Sequence, residues 1–199
     1  MLGSNDLRRY LILFQNNHEA RPSGGFVGSF AVLDIQKGAI KQIDLPPGGT
    51  YDVQGQLDTY LKPPLPLQLI NHRWEFQDGN WFPDFPATAE KMAWFYQHSR
   101  GATVDGVIAV NATVLERVLK VLGPVDSQKF GLSVDADQGL AVLQDYVESG
   151  YDKTTNQPKA VLADILANLI GTVQTVTPQQ ILSLVTELNT ALQQKEVQV

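Results

Sequence analysis

Two short stretches of the chain carry residue types that could do chemistry. The first is Arg21-Pro22-Ser23-Gly24-Gly25-Phe26. Adjacent glycines can expose backbone N–H groups to an anion, and a guanidinium beside them adds a planar, bidentate fork. The same residues also spell a tight turn with a surface arginine, and proline and glycine mark turns far more often than phosphate sites. No Gly-Lys-Ser/Thr follows, so this is not a P-loop. The second stretch, Asp78-Gly79-Asn80-Trp81-Phe82-Pro83-Asp84-Phe85-Pro86, gathers carboxylates, an amide and three aromatic rings. Two arrangements are open to it. Trp81, Phe82 and Phe85 could line a groove faced by Asp84, or they could fill the core while Asp84 caps the helix starting beside Pro86. Arg73 either joins Arg21 at an anionic site or lies in solvent. His18, His72 and His98 share no metal-ligand spacing, and no Gly-x-Ser-x-Gly elbow is present. The chain has no cysteine, which excludes thiol nucleophiles, disulfides and cysteine-bound zinc.

The elements that must position these residues follow from the apolar pattern. Tyr10–Phe14 is a short run of aromatic and branched residues, predicted as a buried strand. His18–Gly25 is rich in breakers and is predicted as a loop. Strands are predicted over Gly28–Ile35 and Ala39–Leu45, joined at Lys37-Gly38 as a hairpin. Pro46–Pro86 is irregular, with short helical pieces expected near Gln56–Leu61 and Leu67–Asn71; so long an irregular stretch usually has a function. Ala87–His98 is predicted as a helix and Val104–Val110 as a strand. Asn111 is expected to cap a helix that stops at Gly123-Pro124. Further helices are predicted over Asp137–Ser149 and Lys159–Ile170. Thr177-Pro178-Gln179-Gln180 spells a capping box opening a last helix, with Ile181, Leu184, Val185, Leu188 and Leu192 on one face. These C-terminal helices read as scaffold. Val197–Val199 resembles the start of another strand.

The order, strands first and then strand and helices, predicts an α/β fold with helices covering a mixed, partly antiparallel central sheet. The 199 residues are 43% hydrophobic and 18% charged, a globular balance sufficient for one domain with a real core. A net charge of -6 argues against general binding to nucleic acid or to an anionic membrane surface. No apolar run approaches the roughly 20 residues of a membrane helix, and Met1–Asp6 lacks the basic region of a signal peptide.

Tyr10-Leu11-Ile12-Leu13-Phe14-Gln15-Asn16-Asn17, Glu19 and Arg21–Ser29 closely resemble a bacterial domain family of unknown function, the one numbered 4012. Asn80–Pro86, Val104–Val110 and Leu122-Gly123-Pro124-Val125 resemble later stretches of it. That family is in turn similar to the LytR-CpsA-Psr phosphotransferases, which join polyprenyl-pyrophosphate-linked glycopolymers to the bacterial cell wall. The resemblance implies a LytR-CpsA-Psr-like fold. It also implies an extracytoplasmic domain spanning 1–199, held to the membrane by an anchor outside this chain and truncated at both ends of a longer protein. Arg21 falls where the relatives place a pyrophosphate-binding arginine. The implied site adds Ser23 and the Gly24 and Gly25 amides around the phosphates, with Arg73 and Asn80 beside them. In the enzymatic reading Trp81, Phe82 and Phe85 would line an acyl or sugar groove, and Asp84 would bind Mg2+ or act as base, with Asp84 or Asp52 standing in for the missing charge. The implied partner is a polyprenyl-pyrophosphate lipid or a cell-wall glycopolymer. This sequence departs from the relatives twice. Ser23-Gly24-Gly25 replaces an Asp-Thr pair that helps hold magnesium, and Leu45–Asp52 lacks the arginine of a Pro-Arg-Asp motif. Phosphoryl transfer depends on neutralising charge with metal and cations. The sequence therefore points equally to transfer of a pyrophosphate-linked ligand and to a module that binds without reacting.

Overall fold

The computed structural model describes residues 6–100 and 103–199. The start of the chain up to Asn5, which lacks the basic region of a signal peptide, lies outside that range. Strand β1 runs over Arg8–Arg21, β2 over Gly24–Gln36 and β3 over Ala39–Asp44. Helix α1 spans Phe85–Arg100, β4 Gly106–Asn111 and α2 Thr113–Leu122. A small hairpin follows, β5 over Val125–Ser127 and β6 over Leu132–Val134. Helices α3 (Gly139–Asp145), α4 (Ala160–Val173) and α5 (Pro178–Gln193) lead to β7 at Val197–Gln198. The main sheet has the order β3-β2-β1-β4-β7. β1 pairs antiparallel with β2 and parallel with β4, and β7 closes the far edge antiparallel to β4. The fold is thus α/β, with a mixed five-stranded sheet flanked by helices, as the element order predicted.

Burial alternates along β1 as a strand with one dry face requires. Leu11 and Leu13, with Val32 and Phe30 opposite them on β2 and Val107 and Ala109 on β4, are buried. Met92, Phe95 and Tyr96 of α1 pack on that face together with Phe76 and Phe85. Phe30 meets Phe76 and Tyr96 edge-on, with ring centroids 5.0 and 5.8 Å apart, a geometry that aromatic quadrupoles favour. A second cluster gathers Leu119, Val125, Val134, Leu143, Val161 and Ile165 from α2, the small hairpin, α3 and α4.

Several local expectations hold. Lys37 and Gly38 both take positive φ, 53° and 74°, the conformation a two-residue hairpin turn demands. Thr177 and Gln180 form the capping box that opens α5. Others are corrected. The predicted loop at His18–Gly25 is mostly strand. β1 continues to Arg21 and turns at Pro22-Ser23 into β2, while the ladder skips Asn17, His18 and Glu19 as a bulge. Those three polar residues interrupt the apolar pattern without ending the pairing. Asn111 is the last residue of β4 rather than a cap; Ala112 occupies the cap position of α2. Gln56–Leu61 forms no helix; the short 3-10 turns lie at Gly49–Asp52, Leu65–Leu69 and Phe76–Asp78. The apolar face of α5 is not buried: Ile181, Val185, Leu188 and Leu192 are exposed, and Leu182 keeps 70% of its surface.

Candidate functional site

The two sequence stretches with chemical potential, far apart in the chain, meet at the end of the β1–β2 hairpin. Asn80, almost completely buried, donates its side-chain N–H to the Gly25 carbonyl at 2.7 Å. The Ser23 hydroxyl donates to the Asn80 carbonyl at 3.4 Å and accepts from Gln15 Nε2 at 3.2 Å. From the far edge of the sheet, Gln198 Nε2 reaches the Ser23 carbonyl at 2.8 Å. Gly25 has a steric reason to be glycine, because a Cβ there would stand 2.1 Å from the Asn16 carbonyl oxygen. Ser23, Gly25 and Asn80 therefore form a hydrogen-bonded turn, in which the buried Asn80 Oδ1 has no hydrogen-bond partner among the described residues.

Arg21 leaves that turn differently equipped. Its guanidinium carbon lies 5.1 Å from the centroid of the Phe26 ring, within cation–π range. One N–H donates to the Ala20 carbonyl at 3.0 Å. Among the described side chains it is the arginine with no carboxylate partner. Arg8 pairs with Asp105, Arg9 with Asp34, Arg73 with Glu75, and Arg117 with both Glu187 and Glu196. Asp78 is near enough for Arg21 to pull its pKa down. Burial acts more strongly and leaves that carboxyl raised overall, with the Asn71 amide donating to it at 2.6 Å.

The remaining expected residues scatter. Arg73 is held by Glu75 and by the carbonyls of Leu57 and Thr59. It borders a depression of about 450 Å3 lined also by Tyr51, His72 and Gln77, which includes neither Arg21 nor Asp84. Phe85 is core. Phe82 stacks edge-on against Trp74 with centroids 6.3 Å apart, and Trp81 is half-buried. Asp84 is exposed immediately before α1; its main-chain carbonyl accepts from Thr88, and its carboxylate makes no hydrogen bond or ion pair among the described residues. No three Asp, Glu or His side chains converge among the described residues. Mg2+ is commonly held by one or two carboxylates together with substrate phosphates. The donor set among the described residues offers no preformed cage.

One residue of the neighbourhood escaped the sequence reading. Lys159 occupies the cap position of α4. Its backbone N–H donates to the Pro47 carbonyl at 2.8 Å, and its stem lies against Gly49. A Cβ added at Gly28 would be 3.6 Å from its Nζ and 3.5 Å from Cε1 of Phe26. A lysine at a helix start opposes the helix dipole, and that breach of a local rule was the available signal.

The chain belongs to the family described as protein of unknown function, DUF4012, whose profile matches residues 5–147. Its fold is similar to the crystal structure of TagV from Bacillus subtilis, at 11% identity and a TM-score of 0.50, covering 96% of this chain and 73% of that one. That likeness supports the LytR-CpsA-Psr-like fold that the resemblance implied. Two further structures are similar at lower scores. For the transcriptional regulator yvhJ from Bacillus subtilis the identity is 12% and the TM-score 0.47, covering 83% of this chain and 62% of that one. For the Lin1025 protein from Listeria innocua they are 11% and 0.48, covering 86% and 67%. The chain thus spans 62% of the length of the yvhJ structure. No curated protein matches it.

Proposed function

We propose that this domain binds the phosphate end of a pyrophosphate-linked lipid or glycopolymer of the cell envelope, and holds it without transferring it. In this reading it works outside the membrane, kept there by an anchor beyond this chain. The observation that carries the reading is Arg21: a half-buried guanidinium, stacked on Phe26, with no carboxylate partner while the other described arginines are paired. Such a fork is suited to bidentate capture of phosphate. Binding is favoured over transfer because the Asp84 carboxylate makes no hydrogen bond or ion pair among the described residues and belongs to no group of three acidic or histidine side chains there. The aromatic side chains nearby also support this view, since Phe85 fills the core and does not line a cleft.

Titration calorimetry with geranylgeranyl diphosphate tests the reading. The wild-type chain binds, Arg21→Ala abolishes binding while its far-UV spectrum and melting profile stay wild-type, and Arg21→Lys retains a fraction. Absence of wild-type binding, or unchanged affinity in Arg21→Ala, overturns the anion site. Release or transfer of phosphate that disappears in a folded Asp84→Ala variant overturns the non-catalytic part and makes the domain a transferase.

A further inference from the structure

Among the described residues the half-buried cations are settled locally, with two exceptions near the ring of Phe26. Lys91, whose ammonium is desolvated, lies 4.7, 4.4 and 4.9 Å from the centroids of Trp74, Trp94 and Phe95. Arg9 donates two hydrogen bonds of 2.7 Å to the Asp34 carboxylate. Arg21 and Lys159 have neither a carboxylate partner nor a cage of several rings among the described residues. Arg21 lies over the face of Phe26, and the Lys159 ammonium and the edge of the same ring flank the point where Gly28 lacks a side chain.

Lys159 makes no ion pair among the described residues. It stands at the start of the 14-residue helix α4, where the dipole repels it. Among the described residues no carboxylate reaches ion-pair distance. Glu148 and Glu19 are near enough to favour the charge, but burial outweighs them and draws the ammonium's pKa down. Yet the surroundings make room for this side chain. Gly49, with φ of 65°, sits beneath its stem, where a Cβ would be 2.9 Å from its Cγ, and Gly28 is the extra residue of a bulge in β2. The Pro47 carbonyl fixes its backbone. A positioned, desolvated and unpaired ammonium gains most from an anion supplied from outside.

We infer that Lys159 is the second cation of the Arg21 site, and that the pair selects a diphosphate head group over a monophosphate. The inference rests on the anion-binding reading given above and assigns the second charge within it. The guanidinium fork takes one phosphate bidentately. A single phosphate there leaves Lys159 unpartnered, whereas a diphosphate carries further charge past the edge of Phe26 to the ammonium. Lysine acts on phosphate as a point charge, without the planar geometry that arginine imposes. It therefore contributes to head-group charge selection more than to orientation.

The test compares three probes on the full chain by calorimetry: geranylgeranyl diphosphate, geranylgeranyl monophosphate and inorganic pyrophosphate. Lys159→Gln is expected to weaken both diphosphate probes by roughly tenfold and the monophosphate by less than about threefold, as removal of one charge-assisted contact implies. Lys159→Arg, which keeps charge and stem length, is expected to restore most of the preference. Should Lys159→Gln fail to fold, the preference of Lys159→Arg and of Lys159→Met gives the same comparison. Wild-type binding with an unchanged preference in folded Lys159→Gln or Lys159→Met overturns this inference and leaves the Arg21 site standing. Absence of wild-type binding to every probe overturns the underlying reading itself. Loss confined to the prenylated diphosphate also overturns the inference, because a head-group contact must act on inorganic pyrophosphate too.

Discussion

At the start of β1, Arg8 donates to Asp105 at 2.6 Å and Arg9 grips both oxygens of Asp34, whose side chain is only 9% exposed. At the other end of the same strand, Arg21 rests on Phe26 with no carboxylate at ion-pair distance among the described residues. The contrast separates two uses of one residue type. Arg9 ties β1 to β2 across a ladder and its energy is spent inside the fold. Arg21 is placed by the fold, through a turn locked by Asn80 and Ser23, and its hydrogen-bonding capacity is left over. Among the described arginines Arg21 alone lacks a carboxylate partner, and the proposed anion site rests on that difference.

The largest effect is expected from breaking the support beneath Arg21. Gly25→Ala drives a methyl group into the Asn16 backbone. The collision cannot be relieved by a side-chain rotation, so a loss of about 3 kcal/mol is expected, the upper end for an overpacked site. Urea unfolding measures it, and a loss below about 1 kcal/mol would show that the hairpin end yields more easily than its geometry implies. Next comes the paired end. Asp34→Asn removes the charge-assisted fork; Arg9 is partly solvated and screened, so the expected cost is about 1–2 kcal/mol by the same method.

The two ends of the strand also predict opposite dependence on pH. The Arg9 hydrogen bonds hold the Asp34 carboxyl below its ordinary range. Its stabilisation is present above that range and is lost as pH falls through the depressed value. Burial raises Asp78, against the pull of Arg21 and Asn71. Its contribution runs the other way, being full below the ordinary aspartate range and fading as pH rises through the elevated value. Stability measured across the acid range should therefore fall less steeply in Asp34→Asn than in wild type. Asp78→Asn should fall more steeply, with a slight gain near neutrality of less than about 1 kcal/mol. Equal profiles for both variants would break the contrast between the ends.

How much of this was legible in the sequence depends on the range of the interaction. The hairpin turn at Lys37-Gly38, the Thr177 capping box and helix α1 announce themselves within a few residues. β1 was foreseen only as Tyr10–Phe14, because Asn17–Glu19 bulge out of the ladder and look like a loop in one dimension. Arg21 and Asn80 both stand out by residue type, yet the strap between Asn80 and Gly25 joins segments that no local pattern connects. Lys159 was hidden for the same reason. It begins a helix that reads as scaffold, and only packing carries it to Gly28 and Gly49. That contact adds a point of comparison with the sequence. Leu45–Asp52 lacks the arginine that the family resemblance implied, and Lys159 packs against Gly49 of that segment from outside it. The exposed stripe on α5 was illegible in the opposite sense, since helical periodicity says that a face is apolar but not what covers it.

The smallest expected effect sharpens the comparison most. Arg21→Ala removes one cation–π contact and one hydrogen bond to the adjacent carbonyl, both partly solvated. It leaves no buried group without a partner, because the Asn71 amide still donates to Asp78 and the turn is held by Ser23 and Asn80. Its cost should be about 0.5 kcal/mol or less. Arg9→Ala, made in parallel, strands the nearly buried Asp34 carboxylate and should cost several times more. Similar losses in urea unfolding for the two variants would mean that Arg21 also serves the fold, and its missing partner would cease to argue for a ligand. A near-silent Arg21→Ala beside a damaging Arg9→Ala would instead leave the conservation of energy at one end and its reservation at the other as properties of the same strand, separable by mutation.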